Sequence, residues 1–318
     1  MVVSDQKTQL KTLGDWASMA IAKHLQKIVK HEKDVLTGKS PEDLHQMRVG
    51  MRRLRSAIAG FSPALQLPKA ATERKVSKIA RILGSLRDLD VLGAALENNY
   101  KPSLPAQEQK YLETALVDIK KQRRYALAEV KETIAGKKYK LLKESLNQWL
   151  QQPEYQEIAK MPMEEVLPDL LLPEVSKLLL HPGWLVGSDA KIVEVELVEK
   201  ILAKQGEFLH SLRKETKRLR YQMEVFSEFY GESYASYLED IKAIQEILGK
   251  IQDSNVLTEF LTQSLPDNIR RSIPTLVAEL AKANYDAWQQ WQNVQTKYLS
   301  IDVRKGFHIA ILEPNLKW

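Results

Sequence analysis

Two segments of the chain carry histidine, arginine and lysine at spacings suited to holding an anion. In LHQMRVGMRRLRSAIAGF, Leu44 to Phe61, one histidine and four arginines fall within the eleven positions His45 to Arg55, with no acid among them. In LHSLRKETKRLRYQMEVF, Leu209 to Phe226, the pattern returns as His210, Arg213, Lys217 and Arg220. On a helix of about 100° per residue, Arg48, Arg52 and Arg55 lie within roughly 80° of His45. That stripe is about 15 Å long at 1.5 Å per residue, so one small phosphate would touch only part of it. A guanidinium grips phosphate oxygens through a two-donor fork, and a protonated histidine donates from both ring nitrogens. Two such stripes facing each other would form a long basic groove for an extended polyanion.

The elements that must position these residues are helices. Apolar residues recur at three- and four-residue intervals through MAIAKHLQKIVKHEKDVL, ERKVSKIARILGSL, YLETALVDIKKQRRYALAEVKETI and PTLVAELAKANYDAWQQWQNVQTKYL. No alternating stretch is long enough for a sheet, so the spacing predicts an all-α chain. Met47, Leu54, Ile58 and Phe61 gather opposite the first stripe; Leu212, Leu219, Met223 and Phe226 gather opposite the second. Ser40-Pro41-Glu42-Asp43 reads as a helix start, with a serine cap, proline in the first turn and acids behind it.

The chain also repeats itself. A shift of 165 positions lays His45 on His210, Arg48 on Arg213, Arg52 on Lys217, Arg55 on Arg220 and Phe61 on Phe226. The same shift, without a gap, lays ILGSLRDLDVL (Ile82 to Leu92) on ILGKIQDSNVL (Ile247 to Leu257). Residues 1–150 and 191–318 are thus two helical repeats, joined by a connecting segment, 151–190, rich in proline and leucine. Asp90 and Asn255 share a position before Val-Leu, and each is expected to cap a following helix.

Composition narrows the function. Of 318 residues, 44% are hydrophobic, enough to bury a substantial core. There is no cysteine, which removes disulfides, thiolate metal sites and cysteine nucleophiles. No apolar run approaches a membrane span, and the N-terminus lacks signal-peptide features. A soluble cytoplasmic protein is the simplest reading. Net charge is +6, from 47 bases and 41 acids, and its clustering points to an anionic partner.

HQMRVGMRRLR, followed by LGSLRDLDVL and then LRKETKRLRY, resembles the CHAD family, the conserved histidine α-helical domains. The resemblance spans nearly the whole chain, 1–318, as a single stand-alone CHAD domain. It implies two antiparallel helical bundles related by pseudo-twofold symmetry, and binding of inorganic polyphosphate in a basic central groove or pore. His45, Arg48, Arg52 and Arg55 would line one wall; His210, Arg213, Lys217 and Arg220 would line the other. Arg53, Lys78, Arg81, Lys214 and Arg218 are expected as secondary polyphosphate-binding residues. The reading is of binding without catalysis and without a cofactor; storage, targeting to polyphosphate granules and regulation of a partner are all open as its purpose. The repeats differ, however. Arg74, Lys78 and Arg81 are replaced in the second by Glu239, Ala243 and Glu246, and Arg87 by Gln252, so the basic surface is expected to be stronger on the first half.

Other readings are weaker. Basic helices also suit nucleic-acid backbones, but the stripes lack interleaved aromatics except Tyr221, so RNA or DNA is expected only as a weaker competitor. Glu42-x-x-His45 and Glu207-x-x-His210 match half of a di-iron bundle motif, but neighbouring arginines would repel a dication, and no metal is expected. EVELVEK, Glu194 to Lys200, lacks the lysine of the ExExK motif of CYTH triphosphatases and reads as helix. His24, His31, His181 and His308 show no partner pattern. HPGWLVG, His181 to Gly187, reads as a turn.

Overall fold

A computed structural model describes residues 12–38, 40–188 and 194–315. Eleven α-helices make up the described chain: α1 (Leu13–Thr37), α2 (Pro41–Gly60), α3 (Glu73–Ala95), α4 (Ala106–Ala135), α5 (Lys137–Gln151), α6 (Met163–Leu179), α7 (Val195–Phe226), α8 (Glu232–Ser264), α9 (Ile269–Ser272), α10 (Pro274–Leu299) and α11 (Ile301–Leu312). Among the described residues there is no strand, only two isolated bridges. The chain is therefore all-α, as the periodicity predicts.

Local chemistry sets several boundaries. At the start of α1, Thr12 Oγ1 accepts from Asp15 N–H and Asp15 Oδ2 accepts from Thr12 N–H, a reciprocal capping box. The helix ends at Gly38, whose φ of 69° is left-handed. Pro41 opens α2 as expected, although the Ser40 side chain makes no capping bond. Pro274 opens α10 behind Ile273, which has no side-chain acceptor to offer. The buried Glu108 of α4 fills that role, accepting from the N–H groups of Thr275 at 3.1 and 3.2 Å and of Leu276 at 3.4 Å.

The expected caps at Asp90 and Asn255 do not occur. Both residues lie inside continuous helices, α3 and α8. Asp90 instead accepts from Arg123 Nε of α4 at 2.6 Å, so its carboxylate fastens two helices rather than ending one. Asn255 is exposed.

Among the described residues, three apolar clusters form the interior. One joins the faces of α1, α2 and α3 to α5 and the second half of α4. A second joins α6, α7, α8, α10 and α11, and includes Leu13 and Ala17 of α1, Ala57 of α2 and Phe61 just beyond α2. The third is built from both repeats: Leu112, Leu116 and Ile119 of α4 meet Leu257 and Leu261 of α8 and Leu276 and Leu280 of α10. The connecting segment is more than a tether. Pro168 and Pro173 fall inside α6, yet that helix continues and buries Val166, Leu167, Leu171, Val175 and Leu178. Beyond it, HPGWLVG is a turn as expected. It also plugs the core, with Trp184 stacked on Trp291 and Tyr298, both with centroids at 5.3 Å.

The crossing of α2 and α7 brings the two basic helices together. Phe61 and Phe226, equivalent in the repeat, meet edge to face with ring centroids 5.2 Å apart. Gly60 permits the approach, because a Cβ there would lie 2.5 Å from Gln222 Oε1.

Candidate functional site

Six of the eight residues predicted on the two stripes meet where α2, α3, α7 and α8 converge. On α2 these are His45, Arg48 and Arg52; on α7 they are His210, Arg213 and Lys217. None is fully exposed. Their apolar backs, Met47, Leu54, Leu212 and Leu219, are buried, which fixes the azimuth of each stripe.

A glycine underlies one arginine in each repeat. A Cβ at Gly84 of α3 would sit 3.5 Å from Arg48 Nε, and one at Gly249 of α8 would sit 3.6 Å from Arg213 Nε. The guanidinium in each half thus lies against bare backbone of the neighbouring helix. The signal was present in ILGSLRDLDVL and ILGKIQDSNVL, since a glycine inside a helix costs about 1 kcal/mol against alanine and needs a packing reason.

Lys217 is the focus of the cluster. Burial, then the positive charges of Arg48, Arg213 and Arg52, depress its pKa from 10.5 to about 8, while Asp88 opposes the shift. Two of those arginines belong to the other repeat. Arg52 is itself half-buried, and burial is the main cause lowering its pKa. Its guanidinium sits 4.2 Å from the centroid of the buried Tyr221 ring, on which Arg220 also bears at 5.8 Å. The Nε atoms of Arg52 and Arg213 and the Nδ1 of His210 are shielded from solvent without a hydrogen-bond partner among the described residues. Buried donors left in that condition each cost about 1–3 kcal/mol.

Both histidines are held below their usual pKa, chiefly by burial. At His45 the next cause is Arg87; at His210 it is Lys214, while a hydrogen bond with Gln252 acts in the opposite direction. Two carboxylates from equivalent positions also reach the cluster. Asp88 approaches Arg48 Nη2 at 3.7 Å. Asp253, open to water at its surface but set among the helices, has its pKa raised by desolvation and by Asp88, against the pull of Arg213 and Lys217. Arg87, Asp88, Asp253, Tyr221 and the two glycines complete the site beyond the residues predicted for it.

The remaining predicted residues are placed differently. Arg55 pairs with Glu73 of α3, and Arg220 pairs with Glu224 one turn on at 2.8 Å. Both stripes are therefore neutralised at their C-terminal ends. Arg218 turns to Glu174 of α6 at 2.8 Å. Lys214 is exposed beside His210, and Arg53 is exposed and acts electrostatically on His24 and Lys27 of α1. Lys78 and Arg81 are exposed on α3 and make no ion pair among the described residues.

The other histidines are structural. His24 is buried and its pKa is lowered to about 4, first by burial and then by Arg53. His31 bonds Asp43 at 3.0 Å. His308 Nδ1 donates to the Arg304 carbonyl at 2.8 Å. His181 Nδ1 accepts from Gly183 N–H, so its proton is on Nε2, which donates to Ser211 Oγ; that polarity cannot activate the serine as a nucleophile.

The family model of the CHAD domain matches residues 19–262, which contain every residue of the basic cluster. The chain belongs to the CHAD domain family. Two solved structures share the fold. The CHAD domain from the plant Ricinus communis is 24% identical, with 97% of this chain and 95% of that one covered at a TM-score of 0.58. PptA from Streptomyces chartreusis is 13% identical, with 95% and 100% covered at a TM-score of 0.57. No curated protein matches the sequence. In this CHAD domain, the HQMRVGMRRLR segment that carries the family resemblance is the part of α2 that faces Lys217.

Proposed function

We propose that this CHAD domain binds inorganic polyphosphate, without catalysis, through a groove lined by His45, Arg48, Arg52, His210, Arg213 and Lys217. The observation that carries this reading is the environment of Lys217. Burial first, and then the guanidinium groups of Arg48 and Arg52 from one repeat and Arg213 from the other, lower its pKa to about 8. Such mutual repulsion is maintained at a cost that a polyanion would relieve, and the Arg52 and Arg213 guanidinium groups would gain phosphate oxygens as partners. Arg55 and Arg220 contribute less, because each already holds a carboxylate.

A chain of phosphates without bases suits the site better than nucleic acid. Single strands are held by stacking bases on exposed aromatic faces. Tyr221, the aromatic residue on the stripe, is buried and its face is taken by Arg52. The deciding experiment is competition. Labelled long-chain polyphosphate bound to the protein is challenged with unlabelled polyphosphate, RNA and DNA of matched charge. Displacement by polyphosphate alone is expected; equal displacement by nucleic acid would overturn the reading. Arg52→Ala and Lys217→Ala should each weaken binding by about 1–3 kcal/mol with helicity preserved.

A further inference from the structure

A second run of bases lies outside the central cluster, on α1. Lys23, Lys27 and Lys30 occupy positions i, i+4 and i+7, within about 60° of one another and over about 10 Å of helix. Lys23 and Lys30 are exposed, and Lys27 is half-buried where its stem crosses Gly50 of α2: a Cβ at Gly50 would lie 3.5 Å from Lys27 Cγ. All three line a concavity of about 1170 Å³ between α1, Gln46 of α2 and Asn147 of α5. None makes an ion pair among the described residues. Two acids on adjoining turns are engaged elsewhere, Asp43 with His31 at 3.0 Å and Glu32 with Lys143 at 2.6 Å; Glu42 holds the Gln46 amide and also acts on Lys27.

Arg53 links this run to the central cluster, with Glu42 also acting on Lys27 and Glu224 on Arg52. Arg53 follows Arg52 on α2 and is turned toward α1, where it bears on both His24 and Lys27. Lys27 also feels Arg52, which in turn feels Arg48 and Arg220. A path of positive charge therefore leads from Lys217 through Arg52 and Arg53 to Lys27, Lys23 and Lys30.

We propose that the Lys23, Lys27 and Lys30 face of α1, joined by Arg53, is a second anion-binding track that takes up the overhang of a linear polyphosphate longer than the central cluster can hold. The inference rests on the polyphosphate reading of that cluster and adds a chain-length selectivity and a direction of exit. A short oligophosphate engages the central residues alone. A long chain occupies both, and each phosphate contact on α1 adds counterion release to its affinity.

The test compares tripolyphosphate with long-chain polyphosphate across a salt series, using wild type, a Lys23→Gln/Lys27→Gln/Lys30→Gln variant and an Arg48→Gln/Lys217→Gln variant, with helicity checked for each. The α1 variant is expected to lose about tenfold or more in long-chain affinity and to flatten the salt slope by up to about 0.7–0.9 per lost contact, while binding tripolyphosphate as wild type does. Unchanged long-chain affinity and slope would overturn the second track and leave the central site standing. Equal losses for both probes would also overturn it, since the lysines would then not be a separate track. Failure of wild type to bind either probe, or an Arg48→Gln/Lys217→Gln variant that binds both normally, would remove the underlying reading instead.

Discussion

Lys217→Met should make the protein more stable at neutral pH while weakening its hold on polyphosphate. In the unfolded chain this lysine titrates at its ordinary 10.5; in the folded protein burial and Arg48, Arg213 and Arg52 bring it to about 8. At about 1.4 kcal/mol per decade of proton affinity, keeping the ammonium charged at pH 7 costs the fold up to about 3 kcal/mol. The unfolded state binds more protons between pH 8 and 10.5, so wild-type stability rises with pH across that window and the penalty is complete below it. A methionine of similar length removes the penalty and keeps the stem packed. Urea unfolding at pH 7 and pH 10 measures both quantities. The midpoint of Lys217→Met should exceed wild type at pH 7 by an amount equivalent to about 1–3 kcal/mol, and the two proteins should converge toward pH 10. A variant no more stable at pH 7, or one retaining the wild-type rise between the two pH values, would refute the argument that Lys217 is held against its neighbours. Long-chain polyphosphate added at pH 7 should narrow the gap, since a ligand that binds only the folded wild type stabilises it by mass action.

Gly84→Ala should stabilise α3 by about 1 kcal/mol with polyphosphate affinity unchanged, because its Cβ would be in ordinary contact with Arg48; Gly84→Leu should displace that guanidinium and weaken binding, as isothermal titration would record. Glu108→Ala should lower stability by about 1–2 kcal/mol, read by urea unfolding, because α10 loses the carboxylate that accepts from its first N–H groups. Affinity should rise on acidification, because bound phosphate raises the pKa of His45 and His210, both held below 6.5 in the free protein. The His45→Gln/His210→Gln variant should lose this component in titrations at fixed ionic strength.

Period and repetition carried most of the sequence reading. Met47, Leu54 and Phe61 recur at helical spacing and are buried, so the azimuth of the first basic stripe follows from residues on the opposite side of the same helix. The in-register repeat also made two facing stripes a natural expectation, and Lys217 does lie among Arg48 and Arg52 of the other repeat. Partnerships between helices distant in sequence were less accessible. Arg55 meets Glu73 across a loop, and Arg218 meets Glu174 of a helix expected only to connect the repeats. Nothing in the local spacing of either arginine distinguishes it from Arg52. Asp90 and Asn255 misled for a related reason: capping residues and helix-to-helix ties use the same side chains, and only the position of Arg123 decides between them. Gly84 and Gly249 were readable in principle, since both interrupt good helix formers at one repeat position.

The third apolar cluster changes what the tandem repeat means for the life of the molecule. Leu112, Leu116 and Ile119 are covered by Leu257, Leu261, Leu276 and Leu280, and Glu108 satisfies the start of α10. The newly synthesised first repeat must therefore wait, with that side of α4 bare, until α8 and α10 have been made. Its sticky interval lasts for most of the remaining translation, and at 5–20 residues per second that is about ten seconds or more. During this interval the unfinished chain is a natural client for chaperones. The repeat sequence describes two units, but the ribosome has to deliver both before either has a complete surface.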